Sequence, residues 1–445
     1  MKNVDTFVNI MALNLDNLRE KIAQNGSVTV LDNGLTVIRE KNPGLGLAQA
    51  SINMQVGSAI EQEGDDGTMH FLEHIVMNGS TKYSSAHMKH KAAMYGLTLN
   101  ALTGHEKVKY PVQGEPLLLS SNFLPSFEMT LDVVVNPRID NVDIERERDI
   151  IQRERVQCET PRKNDVMYPI KKYVKTLLCR KNPWLLREVI GTEDTINAIT
   201  QDTLREYHQK VYTAPNMRVQ VLGDVSKADL QKMYGLLERV PVSDKIEPIR
   251  YVHDGHFAPG SELDMMYDGQ GPTVVQYYFS DAGLTDKEKI HLNLLSKVVG
   301  GGLNSLLMEE LRHKRGLVYS AGATMDGHPA HHYLSMHYEV DPSKLDESLT
   351  SVHTALHRAR SGDFDENIIV GAQNSRIPGM VYAASMPGWV LNYTTLSYNA
   401  EQFGENHDGI QSIHDYMTTT KDDVVAVANK VLTDKHLRVI GRSSS

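Results

Sequence analysis

Hydrophobic and polar residues alternate near the start of the chain in the way that is typical of β-strands. The alternation over residues 27–38 is interrupted by Asp32-Asn33-Gly34, a favoured turn sequence, and predicts a hairpin. Residues 48–56 alternate again and predict a strand. Apolar residues then recur at helical spacing, and the predicted helices are 69–77, 85–94, 123–135, 143–158, 166–178, 193–198 and 202–211. Further strands are predicted around 98–112 and 217–222.

Residues 237–270 break this pattern. They contain three prolines and Gly260 and show little helical period, so they are predicted to be a linker. The order of elements then repeats, with a strand at 274–279, a helix at 286–299, a glycine run, a helix at 303–315 and a strand that begins at 317–319. The chain is therefore predicted to be an α+β protein with a first domain at 1–236 and a second at 271–445.

Length and composition narrow the class of protein. A chain of 445 residues is long for a single core, and 40% hydrophobic residues are typical of a globular protein. The net charge of −10 argues against nucleic acid or an anionic membrane as partner. Two cysteines, Cys158 and Cys179, cannot form a disulfide framework. Because the first residues also lack the apolar core of a signal peptide, we expect a cytoplasmic location.

The five residues His70-Phe71-Leu72-Glu73-His74 read H-x-x-E-H, an inverted metalloprotease zinc motif. In a helix each residue turns the chain by about 100°, so the two histidines lie about 40° apart with Glu73 on the same side. Imidazole binds zinc, and a carboxylate that does not bind the metal can take a proton from water. Chance pairs are also expected among 19 histidines. However, a turn at 64–68 and the apolar side of 69–77 place the motif at the start of a buried helix.

A catalytic zinc site needs a third protein ligand and an open position. In the segment 141–159 (NVDIERERDIIQRERVQCE), Glu147 and Glu154 are seven residues apart and lie on one helical face. The same run is also typical of a solvated, charged surface helix. Periodicity alone leaves these two interpretations open.

The chain resembles the M16 family, the inverzincin peptidases that include pitrilysin, insulysin and the mitochondrial processing peptidase. Besides H-x-x-E-H, the segment 143–154 (DIERERDIIQRE) is similar to the processing-peptidase segment that carries the third zinc ligand. Asn100-Ala101, followed by Thr103, Glu106 and Tyr110, is similar to the family's strand beside the metal. The resemblance covers most of residues 28–235 and resumes at about 270–325.

The resemblance implies a role for each matching residue. The implied zinc ligands are His70, His74 and Glu154. Glu147 then supports a ligand without touching the metal. The interval between residues 100 and 154 is longer than usual, with extra chain near 113–125, so Glu145 and Glu147 also stay open as the third ligand. Asn100 and Ala101 are the implied substrate-binding residues, where Asn100 holds substrate backbone.

The second half carries its own match. The segment 305–319 (SLLMEELRHKRGLVY) resembles the motif in which an arginine and a tyrosine reach the substrate and the forming oxyanion, and by position these are Arg312 and Tyr319. The residues alone would favour a surface arginine and a half-buried strand tyrosine. The helix at 286–299 has His291 but no paired glutamate. The resemblance thus implies two related α+β domains, each a mainly antiparallel sheet with helices packed on one face, of which only the first binds metal.

These observations predict a zinc-dependent metalloendopeptidase that hydrolyses peptide bonds in peptides or unfolded segments, with Glu73 activating water. A full M16 chamber needs four such domains and this chain supplies two, so we expect a homodimer or a heterodimer with an M16 relative. Neither nucleic acid nor a membrane is expected as partner. Two alternatives remain, a non-catalytic or scaffold subunit of an M16-type heterodimer and a zinc hydrolase acting on a small molecule.

Overall fold

A computed structural model describes residues 15–44, 46–112, 118–164, 168–247, 249, 252, 257–267, 272–281, 283–328, 331–402 and 408–443. Residues 1–14, on which the expectation about a signal peptide largely rests, lie outside the described residues, as does part of the expected insertion, at 113–117. No helix in the described part of the chain is both long and apolar enough to cross a lipid bilayer.

The strands of the first half form one mainly antiparallel sheet in the order β1-β2-β7-β3-β5-β4, with β6 also paired to β3. They are β1 Gly26–Val30, β2 Thr36–Lys41, β3 Leu47–Met54, β4 Leu102–Thr103, β5 Val108–Val112, β6 Leu118–Leu119 and β7 Met217–Gly223. Among these described strands, β2 and β7 are the parallel pair. The predicted hairpin is confirmed, because β1 and β2 pair around a turn in which Gly34 has φ 86°.

The helices of the first half are α1, residues 15–25, α2 Thr68–Val76, α3 Ser85–Tyr95, α4 Ser120–Val135, α5 Asn141–Asn164, α6 Tyr168–Leu178, α7 Glu193–Ala198, α8 Gln201–Val211 and α9 Lys227–Leu237. All of them except α1 and α6 contribute buried residues to the first core, on one face of the sheet. Strand residues such as Val37, Ile52 and Val219 pack with Phe71 and Leu72 of α2 in the first core. Burial of these apolar side chains fixes α2 against the sheet.

The second half repeats the arrangement. Its sheet has the order β10-β11-β9-β12-β8, and β12 and β8 are the parallel pair among the described strands. The strands are β8 Ser261–Tyr267, β9 Thr273–Ser280, β10 Ala321–His328, β11 His331–Val340 and β12 His436–Ser443. The helices are α10 Asp286–Gly300, α11 Leu345–Ser361, α12 Asn367–Ser385, α13 Trp389–Gln402, α14 Gly409–Thr418 and α15 Lys421–Val431, with a π-helix at Met308–His313.

The structure corrects three local predictions. Residues Ser261–Tyr267 lie inside the predicted linker but form strand β8. This strand pairs in parallel with β12, although one of its faces is exposed. The helix predicted at 303–315 is shorter, since residues 303–305 form a turn and the regular part ends at His313. Residues 317–319 are not in a strand, because β10 starts at Ala321.

Each half packs one of its helices against the sheet of the other half. Helix α13 of the second half packs on the face of the first sheet that its own helices leave open, where Gln220 donates to Thr395 at 2.8 Å. Helix α6 of the first half packs on the corresponding face of the second sheet, with Val174 and Leu178 beside Leu437 and Val439. Helix α1 also joins the second core through Leu15. The expectation of helices on one face therefore holds for each half's own core helices, while the opposite face receives a helix of the other half.

Candidate metal centre and active site

Helix α2 starts where its sequence allows an unusual turn. Gly67 precedes the helix with φ 95°, a conformation that favours glycine. The buried carboxylate of Glu61 accepts hydrogen bonds from the backbone N–H groups of Gly67 at 3.1 Å and Met69 at 2.7 Å. This satisfies two of the free donors at the helix start and holds the following motif in place.

The structure brings the two motif histidines to one carboxylate of α5. Glu154 places Oε1 at 3.7 Å from Nε2 of His70 and Oε2 at 3.4 Å from Nε2 of His74. One ligand atom from each of the three residues lies within 4.8 Å of the others. The two rival carboxylates lie elsewhere, since Glu145 pairs with Arg148 on the exposed side of α5 and Glu147 contacts the other ring nitrogen of His74.

These separations fit a divalent metal ion. Two ligands of a tetrahedral zinc ion, each about 2.0–2.2 Å from the metal, lie about 3.3–3.6 Å apart. The distances of 3.7 Å from Oε1 to His70 and 3.4 Å from Oε2 to His74 are each close to that spacing, and one atom from each residue lies within 4.8 Å of the others. Two nitrogens and one carboxylate oxygen are also a donor set that zinc accepts. Burial, then the neighbouring His74, lower the pKa of His70 to about 4, so this ring is neutral and able to coordinate near neutral pH.

Glu147 orients His74, one of the candidate ligands. Its Oε2 lies 3.1 Å from Nδ1 of His74, which leaves Nε2 directed at Glu154. Burial raises the pKa of Glu147, but hydrogen bonds from His74 and Asn78 outweigh it and the net pKa is lowered. Burial lowers the pKa of His74, and the bond to Glu147 with the nearby carboxylates reverses this into a net rise. The Glu147 carboxylate therefore stays ionised and fixes the ring, as outer partners of metal-bound histidines do.

Glu73 projects from the same helix but does not join the three ligands. Its side chain is 9% exposed, and its Oε2 accepts a 2.5 Å hydrogen bond from the hydroxyl of Thr103 in β4. Burial is the main reason that the pKa of Glu73 is raised, with Thr103 and His74 opposing and Glu154 adding to the rise. A buried carboxylate with a raised pKa beside a metal site is suited to accept a proton near neutral pH.

The predicted substrate strand lies at the edge of the first sheet. Strand β4 pairs on one side with β5 and is the terminal strand of the described sheet. Asn100 is exposed and its side-chain oxygen accepts from the backbone N–H of Ala101 at 2.9 Å, so both lie just before this edge. The side chain of Leu102 is 64% exposed. The edge therefore offers backbone groups for an added strand.

Arg312 and Tyr319 lie together in the second half. Arg312 lies one residue before the end of the π-helix and donates from Nη1 to the backbone oxygen of Tyr319 at 2.8 Å, with its guanidinium 5.0 Å from the tyrosine ring. Tyr319 is 84% exposed and in an irregular segment, so the alternative of a half-buried strand tyrosine is wrong. Within the part of the chain that is described, neither residue bonds to the metal-binding set. Their chemistry is thus available on a surface of the second half.

Sequence reasoning missed two residues of this site. The sequence places Thr103 in a strand similar to the M16 strand beside the metal but gives it no role of its own. It indicates no role for Glu61. Both act through contacts that join residues far apart in sequence or through a turn of irregular geometry. No periodicity in the sequence signals such contacts, although a carboxylate shortly before a Gly-rich helix start is compatible with a cap.

Comparison with known proteins matches both halves to one family. A profile described as "Insulinase (Peptidase family M16)" matches residues 36–172, and one described as "Peptidase M16 inactive domain" matches residues 198–376. The first contains the histidine motif and Glu154. The second covers most of the half that lacks the metal set.

Similar chains carry related names. The chain is 22% identical to a protein of Rickettsia felis named an uncharacterized zinc protease, covering 92% of this chain and 96% of that one. It is 26% identical to an uncharacterized zinc protease of Streptomyces coelicolor, covering 93% and 89%. The solved structure of the periplasmic protease PqqL from Escherichia coli has a TM-score of 0.73 at 16% identity, over 94% of this chain and 47% of that chain. Both profiles, the named relatives and the shared two-domain α+β fold agree, and the chain belongs to the M16 peptidase family.

Proposed function

We propose that this protein is a zinc-dependent metalloendopeptidase that cuts peptides or unfolded segments. The supporting observation is the convergence of His70, His74 and Glu154 within 4.8 Å of one another, with the carboxylate of Glu73 beside them. The relatives named zinc proteases support the same class of reaction. A cytoplasmic location remains part of the proposal, supported by a sequence with two cysteines, too few for a disulfide framework.

The surroundings of each site residue suit one role in the proposed reaction. His70, His74 and Glu154 would hold the ion, and a bound zinc ion supplies a lowered water pKa, toward about 7, and polarisation of the scissile carbonyl. Glu73 takes a proton from the attacking water and returns it to the leaving amine nitrogen. Thr103 keeps the Glu73 carboxylate oriented during both transfers, because its hydroxyl is a hydrogen-bond donor to Oε2.

The substrate would be held as an extra strand. Strand β4 has a free side at the sheet edge, and Asn100 and Ala101 immediately precede it. Main-chain pairing at such an edge gives affinity with little dependence on side chains. This arrangement suits extended peptides and unfolded segments rather than folded proteins.

Arg312 and Tyr319 would complete the site from the second half of a partner chain. Both are donors suited to a developing oxyanion, and the exposure of Tyr319 leaves its hydroxyl available to another molecule. The chain covers 47% of the PqqL chain, which is thus about twice as long. A homodimer of this chain would reach the same number of domains, and a heterodimer with an M16 relative is the other route.

The function is tested by metal analysis together with cleavage of a quenched peptide pool by the wild type and by Glu73→Gln. Glutamine is similar in size and can still accept the Thr103 hydroxyl, so the variant keeps its fold. We expect about one bound zinc per chain in both proteins, cleavage by the wild type that chelator abolishes, and loss of about 10²–10⁴-fold in the variant. Equal cleavage by the two proteins would exclude Glu73 as the base.

A mixing experiment tests the dimer. If Tyr319 acts on the partner's metal site, a dimer of Glu73→Gln with Tyr319→Phe contains one complete site, and a random mixture recovers about a quarter of wild-type activity. If both residues act within one chain, no complete site forms and the mixture stays at the level of the separate variants. Light scattering on the wild type gives the assembly directly, and a fully active monomer would contradict the proposal.

The non-catalytic subunit remains the second candidate. The profile name "inactive domain" favours it, but that profile matches residues 198–376, a range that contains none of the candidate metal ligands. A chain that binds zinc tightly yet cleaves no peptide, alone or with an added M16 relative, would favour this role.

A further inference from the structure

A cavity of about 410 Å³ lies at one end of the first sheet, and its lining includes neither the candidate metal ligands nor Glu73 or Thr103. It is enclosed by the turn before β2, the start of β7, the segment around Lys245 and the end of α13. Ile60, Met217 and Ile246 give it an apolar wall. The volume is in the range of small-molecule sites.

Arg218 of β7 lies in the wall of this cavity. Its side chain is 9% exposed, on the face of the sheet opposite the first core. The guanidinium donates to Oδ1 of Asn399 and lies 5.1 Å from the ring of Tyr398, while Nε is buried without a hydrogen-bond partner among the described residues. No carboxylate in the described part of the chain forms an ion pair with it. A buried charge without a counter-charge is costly.

Some other charged side chains in the described part of the chain are paired. Glu310 is 2% exposed and is bound by Lys314, Arg315 and Arg358. Arg438, half-buried on strand β12, forms an ion pair with Glu262, the residue directly across from it on the parallel neighbour β8. It lies on the face of its sheet toward the second core, and its Nε, like that of Arg218, has no hydrogen-bond partner among the described residues.

The residue directly across from Arg218 on the parallel neighbour β2 is Thr36, which cannot neutralise it. The first sheet therefore places a buried cation beside a cavity, and no carboxylate of the described residues forms an ion pair with it. Burial lowers the pKa of Arg218 because desolvation disfavours the charged guanidinium. An anion bound beside the guanidinium offsets this cost.

The charges around the cavity limit the anion. Among the described residues that line it, three are cationic, Arg218, Lys107 and Lys245, and two are anionic, Glu106 and Glu247, which leaves one net positive charge. This suits a monoanion and disfavours a dianion such as phosphate. The apolar wall suits a hydrocarbon body attached to it.

We propose that this cavity binds a carboxylate carried on an apolar body, with the guanidinium of Arg218 as its cation and Tyr398 and Asn399 beside it. The ligand is a small monocarboxylic acid or the carboxy terminus of a peptide, which present the same group. Arg218 can bind either carboxylate through two parallel hydrogen bonds. The site is independent of the peptidase activity, because none of its residues belongs to the metal centre.

The test is calorimetric titration of the full chain with hexanoate, and with hexanamide as the neutral match. N-acetyl-leucine and N-acetyl-leucinamide form the second arm, which represents a peptide end. The variants are Arg218→Gln, which removes the cation, and Thr36→Glu, which supplies an internal carboxylate across from Arg218. Arg438→Gln, which removes a half-buried arginine of the second sheet outside the cavity, is the control.

We expect saturable binding of at least one carboxylate, no binding of its amide, and affinity at least tenfold weaker in Arg218→Gln and Thr36→Glu but unchanged in Arg438→Gln. Tighter binding of hexanoate would identify the ligand as a small acid, and tighter binding of N-acetyl-leucine would identify it as the carboxy terminus of a peptide. If Arg218→Gln folds poorly, Thr36→Glu still tests the proposal. In that variant the new glutamate should pair with Arg218 and raise the melting temperature of the protein above that of the wild type. Absence of saturable binding by the wild type, equal binding by all variants, or tighter binding of inorganic phosphate would overturn the proposal.

Discussion

The hydroxyl of Thr103 donates a 2.5 Å hydrogen bond to Oε2 of Glu73 and thereby joins the edge strand β4 to the metal helix α2. Leu102, its neighbour in this two-residue strand, is instead 64% exposed, as expected from the alternation of side chains. The turn that follows is clamped, because Ser58 and Ala59 donate to the backbone oxygens of Gly104 and His105. The strand proposed to take the substrate therefore also sets the direction of the proposed base.

Replacing Thr103 with valine should slow peptide cleavage without weakening substrate binding. Valine keeps the shape but removes the donor, so we expect kcat to fall about tenfold to a hundredfold with KM nearly unchanged. Thr103→Ser keeps the hydroxyl and should retain most of the activity. Zinc content and melting temperature are measured alongside, and a parallel loss of zinc in the valine variant would assign Thr103 to metal binding instead.

Removing the charge of Glu147 should weaken zinc binding. Glu147 lies 3.1 Å from Nδ1 of His74, and an amide there is a poorer acceptor for that ring. We expect Glu147→Gln to lower zinc affinity about tenfold to a hundredfold in a chelator competition. Glu145→Gln, on the exposed side of the same helix, is the control and should bind zinc as the wild type does. Equal affinity in all three proteins would mean that His74 needs no such partner.

Local periodicity predicted most of the elements but not how the halves meet. Helix α2 and the hairpin at Gly34 follow from patterns within about ten residues, and both are confirmed. The exchange of α6 and α13 between sheets depends on surfaces far apart in sequence, so no local pattern could predict it. Strand β8 was missed because prolines nearby resemble a linker and its pairing partner lies at the other end of the chain.

In the candidate site, too, local patterns predict some residues, while others depend on tertiary packing. The spacing within H-x-x-E-H was enough to direct His70, Glu73 and His74 to one side of a helix. Glu154 needed the family resemblance, because Glu147 lies on the same helical face and only the fold separates the contacts of the two. Thr103 meets Glu73 across a helix and a sheet edge, a relationship that only tertiary packing creates.

The buried carboxylate of Glu61 should make stability depend on pH. Burial is the main cause that raises the pKa of Glu61 to about 8 from an ordinary value of 4.5, against the hydrogen bonds from Met69 and Gly67. Between these values the folded protein holds a proton that the unfolded chain has lost. Stability from this group is therefore complete below pH 4.5 and is lost as pH rises through 8, with a slope of up to about 1.4 kcal/mol per pH unit.

Urea unfolding from pH 5 to 8 at constant zinc measures this effect. Glu61→Gln has no titrating group there, so its free energy of unfolding should fall less across the range than that of the wild type. Glu63→Gln, an exposed neighbour, is the control and should keep the wild-type slope. Identical slopes in Glu61→Gln and the wild type would show that the two N–H donors keep Glu61 ionised throughout.

Gly67 should tolerate a methyl group less well than Gly64, although both have φ 95°. A Cβ at Gly67 would lie 2.7 Å from the backbone oxygen of Ile190 and 2.9 Å from Cα of Gly191, whereas at Gly64 nothing in the described structure lies within 4 Å. Backbone strain of about 1–2 kcal/mol is common to both alanine variants. Gly67→Ala should therefore unfold at lower urea than Gly64→Ala. Because Gly67 precedes α2, which carries both histidines, Gly67→Ala should also bind zinc more weakly in the chelator competition. Equal stability and equal zinc affinity of the two variants would mean that the loop at Ile190 moves aside freely and does not hold the metal helix.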